Sequence, residues 1–170
     1  MFDGLTPARP VLRIPRSTLE RFLEGLAAIG LAWLLVQVVS AWPRLPERIP
    51  HHFGLSGKPD AWGGKRVLVL LPAVGAGLYI LLTVVSFFPH KFNYLFEITV
   101  ENAERQYRIA RLMITAIKAE VVWLFAYICA LTIRVALGKA EGLSTAFAPV
   151  ILTVVLGTVA AGLYASWKAR

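Results

Sequence analysis

Four apolar runs of about twenty residues, set apart by clusters of proline, glycine and charge, constrain this chain more than any other feature. A helix needs about 20 apolar residues to cross roughly 30 Å of hydrocarbon, and residues 23–42, 67–88, 121–137 and 145–167 each approach that length. Composition agrees: 57% of the 170 residues are hydrophobic and 16% charged, against roughly 45–50% and about 25% in soluble domains. The expected fold is all-α, an integral membrane four-helix bundle that forms a single domain over residues 1–170, with an ordered extracytoplasmic loop between helices 1 and 2.

Local signals sharpen the boundaries. Ser17 to Glu20 has the S-x-x-E form of a capping box, so the first helix starts there. Pro72, Gly75 and Gly77 in the second run are tolerated because neighbouring helices re-satisfy the freed backbone. Thr153, Gly157, Ala161 and Ala165 recur every four residues in the fourth run, and Ala73 and Gly77 do the same in the second. Such rows allow close helix approach in lipid, within one chain or between copies as a homo-oligomer. The lone cysteine, Cys129, lies in the third run and leaves no intrachain disulfide to staple a loop.

Orientation follows from basic residues, which are retained on the cytoplasmic side. The tail 1–17 with the start of helix 1, the segment between runs two and three, and the C-terminus hold eleven of the eighteen Lys and Arg. Both termini are therefore expected in the cytoplasm of a multi-pass protein of the plasma (inner) membrane, with residues 43–66 outside. The net charge of +8 reads as topology and contact with anionic lipid of the bilayer. It does not read as nucleic-acid binding, because the basic residues are divided between two membrane faces. The mid-span polar groups are Gln37, Ser40, Thr83, Ser86, Thr153 and Thr158, with Arg134 near the outer end. The absence of a midplane carboxylate, histidine or lysine argues against a proton-coupled transporter.

Residues 89–118 form the expected cytoplasmic loop and an amphipathic extension of the third helix. Glu101 with Arg105 and Glu104 with Arg108 are i,i+4 pairs, while Ile109, Leu112, Met113 and Ala116 share one face. The simple reading is a solvated stalk whose apolar side packs on the bundle or the membrane surface. The functional reading is a docking surface for a cytoplasmic regulator, built from Glu101, Asn102, Arg105, Tyr107 and Arg108.

Polar residues concentrate in the outer loop, IPHHFGLSGKPDAWGGK. Prolines hold its start extended, Gly57 and Lys58-Pro59-Asp60 suit a turn, and Trp62 suits headgroup depth. In an extended segment His51 and His52 point opposite ways, so one of them faces whatever the loop surrounds. His52 and Asp60 are ligand types that suit zinc or another divalent metal, although His90 falls on the opposite side of the membrane. The alternative is a histidine that cross-links the loop by hydrogen bonds.

The order Leu-Pro-x-x-Ile-Pro-x-His-Phe-x-x-x-Gly-x-Pro-Asp-x-Trp-x-x-Lys, residues 45–65 directly after a membrane helix, resembles the signature of a bacterial membrane-domain family of unknown function (domain of unknown function 1648). That domain also forms the N-terminal part of SdpI-type immunity proteins. The resemblance singles out His52, Phe53, Gly57, Asp60, Trp62 and Lys65 as ligand-binding or loop-organising residues. It implies a multi-pass membrane protein with the signature loop outside. In SdpI-type members this accompanies protection against a secreted peptide toxin and capture of a cytoplasmic repressor. With four expected spans, this chain is without the additional C-terminal membrane region of the longer members.

Three functions follow as expectations. The favoured one is a non-enzymatic, SdpI-like sensor or immunity protein without a cofactor, whose outer loop meets a secreted peptide or other extracytoplasmic ligand and whose stalk meets a partner. The second is a small metal-dependent membrane enzyme using His52 and Asp60, with Glu47 as general base. The third is a structural subunit of a larger membrane complex.

Overall fold

Helix α1 (Thr18–Ala41) begins where its capping box requires. Ser17 Oγ accepts from the Glu20 amide at 3.1 Å, and Glu20 Oε2 accepts from the Ser17 amide at 2.6 Å. A computed structural model of the chain describes residues 9–54 and 56–170; the first eight residues of the expected tail, and Leu55 of the signature loop, lie outside the described residues. Within them α1 is followed by a two-stranded hairpin, β1 (Arg48–Phe53) and β2 (Pro59–Gly64), then α2 (Leu70–Val85), α3 (Ala103–Ala136) and α4 (Phe147–Lys168). Four helical segments, Thr18–Arg44, Lys65–Val85, Ala103–Ala136 and Phe147–Lys168, are long and apolar enough to cross a membrane. The chain is a multi-pass, mostly helical membrane protein, and the loop between α1 and α2 adds the small sheet.

Polar contacts set the helices' relative heights. On α1 and α3, Glu20 meets Arg111, Glu24 meets Lys118, the Leu26 carbonyl accepts from Trp123 Nε1, and Gln37 donates to the Ala126 carbonyl. These two helices therefore run parallel. On α4, Phe147 stacks on Tyr127, Thr158 bonds Glu120, and Ser166 bonds Gln106, so α4 runs antiparallel along α3.

This height changes the reading of α3. Helix α4 carries no charged residue before Lys168, a composition that belongs in hydrocarbon, and it lies beside α3 from Tyr127 back to Gln106. The third apolar level thus starts well before residue 121. The polar face expected to be solvated is closed off: Gln106, Tyr107, Arg111, Thr115 and Lys118 are all buried. Arg111 and Lys118 have their acids on α1, more than 90 residues away in sequence, a distance over which no helical periodicity reports. Ionisable groups therefore do stand inside the bundle, contrary to the polar inventory read from the apolar runs.

Close approaches also differ by one or two positions from the small-residue rows. A Cβ on Gly75 would meet Leu34 and Phe125, one on Gly162 would meet Met113, and one on Gly30 would meet Trp123. Gly77 and Gly157 have nothing within 4 Å, so these two glycines make no close helix contact within the chain. At the hairpin end Leu34, Leu45, Ile49, Leu68, Ala126 and Cys129 form the apolar core.

The Glu20–Arg111 pair, with side chains 3% and 9% exposed, predicts an asymmetric mutational response. Replacing Arg111 by Met strands a buried carboxylate and is expected to cost about 3–5 kcal/mol. Adding Glu20→Gln should recover part of that loss. Removing the exposed Glu104–Arg108 pair should cost about 0.5 kcal/mol. Unfolding of the purified variants in detergent micelles, followed by circular dichroism, measures all three.

Candidate functional site

The residues between α1 and α2 fold as they do because both ends are anchored. Leu45, Ile49 and Leu68 are buried in the core. The Lys65 amide donates to the Glu47 carbonyl at 3.0 Å, and its ammonium lies 2.9 Å from the Glu47 carboxylate. The Lys65 ammonium also sits 5.7 Å from the centre of the Trp42 ring, an attractive cation–π distance. Lys65 thus fastens the hairpin base to the end of the first membrane segment.

Pairing between the strands is irregular in an informative way. Arg48, Ile49 and Pro50 oppose Gly64, Gly63 and Trp62, then His52 opposes Ala61 and Phe53 opposes Pro59. His51 on β1 and Asp60 on β2 are therefore each left without a partner, as in two successive β-bulges. Bulges bend the strand and re-aim side chains. Here Asp60 Oδ1 accepts from His52 Nδ1 at 2.6 Å, with the two side chains 66% and 52% exposed. Gly54 leaves room for this pair, because a Cβ there would lie 2.9 Å from Asp60 Oδ2.

The two histidines make different contacts, His52 on Asp60 and His51 against Gly63. Residues 49–53 of β1 line one side of a recess of about 270 Å³, shared with Leu71, Thr132 and Leu143. The glycines at 54 and 63 thus mark close approaches, to Asp60 and to His51, and not merely turns.

The hairpin tip is tied down as well. Gly57 adopts φ +78°, a conformation that favours glycine, and its carbonyl accepts from the Leu143 amide at 2.8 Å. A Cβ on Gly57 would fall 2.0 Å from the Leu143 carbonyl oxygen, and one on Gly142 would fall 2.2 Å from the Gly57 carbonyl oxygen. The two backbones touch, and only glycines permit it. Trp62 is half-exposed on β2.

His52 and Asp60 thus converge on each other. Among the described residues no three His, Cys, Asp or Glu side chains come together as a metal-ligand group. A catalytic zinc has three protein ligands, one more than this pair offers. Glu47 is paired with Lys65 at the opposite end of β1 from His52, roughly 16 Å away at about 3.3 Å per residue. It does not fit the base of a site at His52.

The residues expected to dock a partner separate into two groups. Asn102 and Tyr107 are buried and serve the fold. Asn102 Oδ1 accepts from the Thr99 amide, Asn102 Nδ2 donates to the Glu97 carbonyl, and the Tyr107 hydroxyl donates to the Pro10 carbonyl. Their burial removes them from any docking surface. Glu101 and Arg105 remain exposed, and Arg108 holds Glu104 through two hydrogen bonds. Glu101 precedes the helix, and the hydrogen bond from Thr99 holds its carboxyl below the usual range. A cluster that the sequence did not point to lies further along α3: Lys118 bonds Glu24 and Thr83, and its ammonium lies 4.8 Å from the Tyr79 ring centre.

Comparison with known proteins singles out the hairpin unit. An uncharacterized protein of Archaeoglobus fulgidus is 44% identical over 50 residues, which is 29% of this chain and 26% of that protein, so the match spans about a quarter of the relative's length. No solved structure matches. Residues 27–76, which run from the middle of α1 through the hairpin into α2, match the family described as Domain of unknown function (DUF1648).

Proposed function

We propose that the chain is a non-enzymatic sensor or immunity-type membrane protein, SdpI-like in plan, whose hairpin recognises an extracytoplasmic ligand. The observation that carries this reading is the exposed His52–Asp60 pair on a hairpin tied at base and tip, beside an apolar recess of about 270 Å³. A polar pair next to an apolar recess suits an amphipathic secreted peptide, with an apolar side chain in the recess and a polar or cationic group on Asp60. Rigidity matters because pre-ordered recognition elements lose less entropy on binding.

In this reading the hairpin lies outside the cell membrane and both termini lie in the cytoplasm, because most of the basic residues lie towards the terminal end of the bundle. The exposed Glu101, Arg105 and Glu104–Arg108 surface then faces a cytoplasmic regulator. A ligand shifts such a protein only by binding its two conformations unequally, so the hairpin and that surface need not touch to be coupled.

Two measurements test the proposal. Cells expressing the chain are challenged with the peptide fraction secreted by their own species. Alanine at His52, Asp60 or Trp62 should lower protection at least about tenfold, the size of one charge-assisted hydrogen bond or anchoring aromatic. Unchanged protection in a triple variant that still reaches the membrane would sink the reading. Gly57→Ala should act differently, because it leaves the pair intact but forces the tip off the 142–143 loop. Its expected signature is faster hydrogen exchange at the Leu143 amide and a stability loss of about 1–3 kcal/mol, with weakened protection following from a loosened hairpin.

A further inference from the structure

The acids within the bundle are unequally satisfied. Glu20 is held by Arg111, and Glu24 by Lys118 with Arg16 2.7 Å away. Among the described residues Glu120 has no cation: its Oε1 accepts from the Thr158 hydroxyl, and its Oε2 is shielded from solvent without a hydrogen-bond partner. An unpaired carboxylate at membrane depth is costly, and here it lines a recess of about 390 Å³ whose remaining walls are apolar, among them Leu23, Leu26, Ala116, Trp123 and Val155. The recess opens between α1 and α4 with α3 as its floor. It continues past Leu23 and Ala116 into a second recess of about 300 Å³ lined by Met113, Ala161 and Ala165.

We propose that this groove binds a single-chain lipophilic ammonium, its charged head on Glu120 and its alkyl chain along the apolar walls. Charge selects the head: among the described residues Glu120 is the one charged side chain lining either recess, so a cation completes it. The same fact selects against a phospholipid, whose phosphate would lie beside Glu120 with no basic residue in the lining to receive it. Size selects the chain. A volume of about 390 Å³ falls in the range of ligand sites, about 300–1,000 Å³. A single turn of helix about 10 Å across and 5.4 Å long already occupies about 420 Å³, so the groove suits a slender tail better than a partner helix. Two recesses joined end to end match an elongated occupant.

The test uses the full chain in phosphatidylcholine nanodiscs with bromododecylammonium as the probe and bromododecanol as its neutral control, read by quenching of tryptophan fluorescence, since Trp123 lines the groove. The expected result is saturable quenching by the ammonium, at least about tenfold tighter than by the alcohol and weakened by at least that factor in Glu120→Gln. Val154→Phe, on the outer wall of the groove, should block both probes. Glu104→Gln, an exposed carboxylate elsewhere, should change nothing. Equal affinity of wild type and Glu120→Gln for the ammonium overturns the proposal. So does a native mass of two copies that Glu120→Gln converts to one, which would make the groove an interface between copies.

Discussion

Charges that cannot be left alone in a low-dielectric environment hold this bundle in register. Between membrane helices the hydrophobic effect supplies no preference for one height over another, since lipid is as apolar as the helix faces. Glu20 and Glu24 are one turn apart on α1, and Arg111 and Lys118 are two turns apart on α3. Sliding α1 past α3 by one turn would strand a buried charge, at a cost of several kcal/mol. Lys118 extends the constraint to α2 through Thr83 and Tyr79. Arg111 extends it to the chain before α1 by donating to the carbonyls of Ile14 and Pro15. Three helices and the N-terminal approach thus depend on two acid–base pairs at one end of the molecule.

The hairpin inherits its geometry from that register. Its strands leave α1 and enter α2, so the spacing of those helices sets the distance between its two ends. The core of Leu34, Ile49, Leu68 and Cys129 then fills the space beneath it. This explains why the matched segment, residues 27–76, begins inside one helix and ends inside the next. The strands alone are too few to be stable in water; the helix ends, the Glu47–Lys65 clamp and the 142–143 loop supply the rest.

Features written in local sequence were legible. Length and apolarity gave four spans, S-x-x-E gave the start of α1, and the Leu45 to Lys65 pattern marked the hairpin as the unusual element. What stayed hidden depends on non-local partners. The charges of α3 look the same in sequence whether water or Glu20 and Glu24 surround them, so α3 read as a solvated stalk. Gly75 and Gly77 are equally small, and only the positions of Leu34 and Phe125 decide which one makes the contact. At the hairpin, strict alternation does not report the two register shifts that leave His51 and Asp60 without cross-strand partners. A bulge is a property of a strand pair, which one strand's sequence does not carry.

Attachment strength is uneven around α3, and that unevenness decides where the molecule is open. Helix α1 meets α3 through two ion pairs, two side-chain to backbone bonds and a glycine contact at Trp123. Helix α4 meets it through Thr158, Ser166, the Tyr127–Phe147 stack and Gly162, with no buried residue of its own. A helix held by so few contacts keeps most of its surface for lipid, and it leaves the side of α3 between itself and α1 uncovered. Glu120 lies on that side. Among the described residues, Glu20 and Glu24 are matched to cations of α3 by the register of α1, and the carboxylate facing the loosely attached helix is not. The openness of the groove and the unpaired charge therefore have one cause: the charge pairing that positions α1 does not extend to α4.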